Sequence, residues 1–94
     1  MNLITVSFEL IQENQLEFVQ AFERITDVWK QMGFTASLFR ETGNKNSFTL
    51  LLLSENNIDV LTELIQKEPP IRDLFEKMKE SECRISVSSM EQIL

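Results

Sequence analysis

Histidine and tyrosine are absent from the 94 residues, and cysteine occurs once, at Cys83. Without histidine the chain lacks the one side chain that titrates near neutral pH unaided, so acid–base work falls to carboxylates. A single cysteine permits no intramolecular disulfide, which points to a reducing compartment, the cytoplasm. One cysteine and no histidine also leave no metal-ligand spacing, and ESE at 80–82 reads as a solvated helix end, so neither metal nor cofactor is expected. The only glycines are Gly33 and Gly43, which excludes a glycine-rich phosphate loop. Basic residues are few: 9 against 15 acids, a net charge of −6. That balance excludes nucleic acid and an anionic membrane surface as expected partners. No apolar run is long enough to cross a bilayer, and MNLITVSFEL lacks the marks of a signal peptide.

What is present is apolar patterning that changes period along the chain. Residues 3–10 alternate, with Ile4, Val6, Phe8 and Leu10 on one side and Thr5, Ser7 and Glu9 on the other, the period of a strand. Phe18, Phe22, Ile25, Trp29 and Met32 then recur at spacings of four and three, predicting one long amphipathic helix. Asn14 is its expected N-cap, with Glu17 completing a capping box and Gly33 closing it. Residues 34–42 alternate again, GNKN at 43–46 supplies turn chemistry, and SFTLLLLS follows, a hairpin pattern. After Asn56 and Asn57 the apolar positions Ile58, Leu61, Leu64 and Ile65 share a helical face. Pro69 and Pro70 interrupt the helix and permit a new first turn, continued by Ile71, Leu74, Phe75 and Met78. Residues 83–90 give a final alternation.

The order β-α-β-β-α-β in one domain, residues 1–94, defines an α+β fold. It is a ferredoxin-like split sandwich with a four-stranded antiparallel sheet and helices on one side. Sorting strand residues by parity places Ile4, Val6, Phe8, Ala36, Leu38, Phe48, Leu50, Leu52, Cys83, Ile85 and Val87 beneath the helices. There Cys83 is a buried structural residue, and Trp29, Phe22 and Phe18 are core rather than an aromatic cofactor box. The other face carries Thr5, Ser7, Glu9, Thr35, Ser37, Phe39, Thr49, Leu51, Leu53, Arg84, Ser86 and Ser88. Its apolar members, Leu51 and Leu53 on a central strand and Phe39 beside them, mark an interface or a ligand groove. A tail, Met90 to Leu94, folded over that face is the competing reading.

ENQLEFVQAFERITDVWKQMGF, LFRETGNKNSFTLLLLSEN and IDVLTELIQ together resemble the antibiotic biosynthesis monooxygenase family, over about residues 3–88. The resemblance implies that two subunits pair their sheets into a dimeric α+β barrel, and that the activity is cofactor-independent oxygenation of an aromatic or polyketide-like molecule. Members often carry a tryptophan at the end of the third strand and a histidine in the next helix; here stand Leu52-Leu53-Ser54 and Leu61 to Ile65, so no catalytic residue carries over.

Read from the residues themselves, Glu9 is the candidate proton acceptor, against the plainer expectation of a Glu9–Arg84 ion pair. Ser7, Ser37, Phe39, Thr49, Leu51, Leu53 and Ser86 are the expected pocket or dimer face. A non-catalytic homodimer that binds a small apolar or aromatic ligand, or a protein partner, is the alternative. An RNA-recognition or amino-acid-sensing domain of the same strand order fits less well. The charge is acidic, and Ile-Gln-Glu-Asn stands where a sensor carries Asp-x-Pro-Gly.

Overall fold

The computed structural model describes residues 1–79 and 85–94. Its elements are β1 (Asn2–Glu9), α1 (Gln12–Arg24), α2 (Thr26–Gln31), β2 (Thr35–Arg40), β3 (Ser47–Ser54), α3 (Ile58–Lys67), α4 (Pro69–Lys79) and β4 (Ser86–Glu91). The strands form one antiparallel sheet in the order β2-β3-β1-β4. This is the expected ferredoxin-like α+β arrangement, with each helical stretch divided in two. Cys83, Arg84 and ESE lie outside the described residues, and with them the Glu9–Arg84 pair.

The expected single first helix is broken at Ile25, whose φ of −106° and ψ of 12° leave the helical region. Thr26 supplies the cause. Its hydroxyl donates back to the carbonyls of Glu23 at 3.0 Å and Phe22 at 3.4 Å, a side-chain competition that bends helices. The apolar spacing runs through the break unchanged, so periodicity alone gives no sign of it. The start differs too. α1 begins at Gln12 with Ile11 in the cap position and no side-chain cap, not at Asn14. The Leu10 N–H is held by the carbonyl of Asn46 at 2.9 Å, so the chain turns into helix directly from the sheet's end. Gln15 then fastens the first turn, donating to Leu10 O at 3.0 Å and Asn46 Oδ1 at 2.9 Å.

Other boundaries follow the sequence signals. Asn57 caps α3 by accepting from the N–H groups of Asp59 and Val60. Pro69 opens α4, where a missing N–H costs nothing. Gly33 follows α2 with φ of +85°, and a Cβ there would meet Asn56 Nδ2 at 3.0 Å. Ser54 donates to Gly33 O at 2.7 Å, tying the end of β3 to that turn.

Beneath the helices lies a continuous core of Ile4, Val6, Phe8, Phe48, Leu50 and Leu52 from the sheet with Phe18, Trp29, Leu61, Ile71, Leu74 and Met78 from the helices. Phe8 packs on Phe18 and Phe48 at ring-centroid distances of 5.1 and 6.0 Å. Val87 pairs with buried Val6 and so shares the helix-covered face, yet it is 51% exposed because the helices leave that part of edge strand β4 bare. Ile85 packs partly buried against the core.

Across the helical layer, Lys77 Nζ lies 2.6 Å from Glu17 Oε1. That hydrogen bond and the accompanying charge hold the Glu17 carboxyl below its ordinary value of 4.5. A depressed folded-state value means the pair stabilises fully above 4.5 and loses its contribution as pH falls through the lowered value. Thermal melts should therefore show a small deficit for Glu17→Gln near neutral pH that closes on acidification; a constant deficit at all pH values would rule the ion pair out as its source.

Candidate functional site on the open sheet face

The strand register sets out the uncovered face as rows running across the sheet. Thr35, Leu53, Leu3 and Met90 form one; Ser37, Leu51, Thr5 and Ser88 the next; Phe39, Thr49, Ser7 and Ser86 the third. Ser47 opposite Glu9 starts a fourth, extended by Glu41, whose N–H donates to Ser47 O at 2.9 Å. All of the parity-assigned residues that the structure describes thus share one face. Leu3 and Met90 belong to it as well and were not singled out from the sequence; carrying the alternation one step further along β1 and β4 finds both.

The rows grade from apolar to polar. At the first row a shallow recess of about 270 Å³ is lined by Met1, Leu3, Leu53 and Met90, with Asn2, Glu91 and Gln92 also bordering it. At the other end a cleft of about 620 Å³ is bordered by Ser7, Glu9, Phe39, Glu41, Ser47, Thr49 and Ser86. Phe8, Phe48 and Arg40, which belong by register to the helix-covered face, border it where the sheet ends. The cleft brings together Ser7, Glu9, Phe39, Thr49 and Ser86 of the expected set. It leaves out Ser37 and Leu51 in the middle row and Leu53 at the far end.

Within the cleft Ser7 Oγ and Thr49 Oγ1 approach to 3.4 Å, joining the central strands through their hydroxyls. Neither Glu9 nor Glu41 forms an ion pair among the described residues. By register, no lysine or arginine among the described residues belongs to this face. Phe39, on edge strand β2, is 54% exposed, and Leu53 and Met90 are 41% and 48% exposed. The arrangement offers a flat apolar wall, hydroxyls able to donate or accept, and two carboxylates able to take a proton. Among the described residues no three acidic, cysteine or histidine side chains converge to hold a metal. The tail does not cover the face either: β4 runs to Glu91, and Ile93 and Leu94 beyond it are 87% and 103% exposed.

This architecture, four antiparallel strands with helices on one side and the other side bare, is the ferredoxin-like α+β fold of solved structures named as antibiotic biosynthesis monooxygenases. A variant of SnoaB from Streptomyces nogalater, named as a cofactor-independent oxygenase, is also similar: 15% identity over 99% of this chain and 93% of that one, TM-score 0.73. A protein from Caulobacter crescentus assigned to the antibiotic biosynthesis monooxygenases aligns over 99% and 90% of the two chains at 12% identity and TM-score 0.79. Another so assigned, from Deinococcus radiodurans, covers 98% and 92% at 14% identity and TM-score 0.76. At such identities the likeness is one of fold. By sequence, no protein-family profile and no curated protein matches the chain. No helix among the described residues is long and apolar enough to cross a membrane.

Proposed function

We propose that this chain is a divergent member of the antibiotic biosynthesis monooxygenase family. In this reading two copies pair their open sheet faces into a dimeric α+β barrel in the cytoplasm. They oxygenate an aromatic or polyketide-like molecule held beside Glu9, without a cofactor. The observation that supports this reading is a ligand-sized cleft, about 620 Å³, on the uncovered face of a fold shared with a cofactor-independent oxygenase. Glu9 takes a proton from an activated methylene or phenol of the substrate. The electron-rich substrate then reduces dioxygen, so that a methylene becomes a carbonyl and the second oxygen atom leaves as water. Phe39 forms the apolar wall, while Ser7, Thr49 and Ser86 orient the substrate's oxygens.

Oxygen uptake with an anthrone or a hydroquinone, followed by mass analysis of the product, tests the proposal. Glu9→Gln should lower kcat roughly 10²- to 10⁴-fold with little change in KM, the usual share of a positioned base. Unchanged turnover in Glu9→Gln would remove Glu9 from the mechanism.

The absence of histidine and tyrosine favours a second reading, a dimer that binds such a molecule and does not oxidise it. Saturable binding of the anthrone with no oxygen uptake above the uncatalysed rate would select it.

A further inference from the structure

A second opening lies on the helix-covered side of the sheet. α2 stays on the sheet, with Trp29 packed edge-on against Phe34 just ahead of β2. α1 also packs on the sheet, through Phe18 against Phe8, and is tied to α4 through Glu17 and Lys77. Between α1 and the C-terminal half of edge strand β2 lies a groove of about 660 Å³. Its walls are Leu16, Val19 and Phe22 from α1 and Leu38, Phe39 and Phe48 from the sheet; Gln12, Gln15, Glu23 and Arg40 edge it. Leu16 is 69% exposed, so apolar surface here faces solvent.

Polarity runs along the groove in one direction. β1 and β2 both pair antiparallel with β3, so they run parallel to each other and α1, which joins them, runs back. Gln12 therefore lies at the Arg40 end and Glu23 at the opposite end. Arg40 makes no ion pair among the described residues. The groove thus presents an unpaired guanidinium and the Gln12 amide at one end of an apolar channel. From Gln12 to Glu23 the helix advances roughly 16 Å, enough to lay an extended acyl chain of medium length alongside it. In a chain of net charge −6, an arginine without a carboxylate partner at the mouth of an apolar groove is matched by a ligand that brings its own carboxylate.

We infer that the α1–β2 groove binds an elongated apolar monocarboxylate, its carboxylate on Arg40 and Gln12 and its tail along Leu16, Val19, Phe22 and Leu38. This site meets the proposed oxygenation cleft at the edge of β2, where Phe39, Arg40 and Phe48 border both, but Leu16, Val19, Phe22 and Leu38 line it alone, and it stands whether or not that chemistry does.

Titrating the isotope-labelled full chain with decanoate, followed by amide chemical shifts, tests it. Saturable shifts are expected at Leu16, Val19, Phe22 and Leu38. Arg40→Gln should weaken decanoate roughly tenfold to a hundredfold, the share of a charge-assisted hydrogen bond, and leave decanol unchanged. Leu16→Trp, at an exposed helix position that tolerates the larger ring, should narrow the groove and weaken both probes. Shifts confined to Thr5, Ser7 and Thr49 on the open face would overturn the assignment. So would equal decanoate affinity in Arg40→Gln and the parent chain, or the absence of saturation by decanoate.

Discussion

Trp29→Ala is expected to cost about 3–5 kcal/mol and to lower Tm by roughly 15–30 °C, read by thermal or urea unfolding. The indole is fully buried, meets Phe34 at a centroid distance of 5.9 Å, and sits on the short helix that carries the chain into β2. Removing it leaves a cavity in a core whose strand members, Leu50 and Leu52 among them, are held in place by pairing on both sides. Trp29→Phe separates volume from polarity. The Trp29 Nε1–H is buried with no hydrogen-bond partner among the described residues, so the parent carries a desolvation penalty that phenylalanine lacks. The Phe variant should therefore lose much less than the difference in ring size implies. A Phe variant as damaged as the Ala variant would show that the indole N–H is satisfied in solution.

Leu51→Asp should raise the dissociation constant of the proposed sheet-to-sheet dimer at least about a hundredfold, measured by sedimentation or light scattering against concentration. Leu51 is half-buried in the middle row, between Ser37 and Thr5, with no cation among the described residues belonging to that face. An aspartate there would be enclosed by a second sheet without a partner for its charge. Leu50→Asp, one position away, points into the core beside Val6 and Leu38 and should unfold the chain outright. The pair of variants distinguishes assembly from folding: a Leu51→Asp protein that stays dimeric would place the interface elsewhere.

The strands were legible because parity is a local property. Phe48, Leu50 and Leu52 turn one way and Leu51 and Leu53 the other, and nothing tertiary can reverse that without moving the whole register. The first helix was less legible, since its apolar stripe runs from Phe18 to Met32 with no gap at Ile25. Only the hydroxyl of Thr26, bonded back along the chain, reveals the bend, and a threonine within a helix often does nothing of the kind. The exposure of Val87 escaped for a related reason: parity says which face a residue takes, whereas cover depends on how far the helices reach. Residues of the candidate site were found where they lie in strands, as with Ser7, Glu9 and Phe39. Glu41 and Ser47 continue the parity of Phe39 and Thr49 by one step at the hairpin's mouth and were not singled out there; the pairing of Ser47 with Glu9 and the Glu41–Ser47 backbone bond place them in the fourth row. The α1–β2 groove has no sequence signature at all, because its walls come from a helix and an edge strand whose spacing no local pattern encodes.

The ladder between β1 and β4 continues past the last strand residue, where the Gln92 N–H meets the carbonyl of Met1 at 2.9 Å. Topologically, the described backbone is close to a ring whose gap happens to fall beside β1. Bridging residues 1 and 94 with a short flexible linker and opening the chain at Asn44, in the exposed hairpin turn, would preserve all three strand pairings. The sheet's order belongs to the ring and not to the place where it is cut, so the chain could begin with β3 and still build the same face.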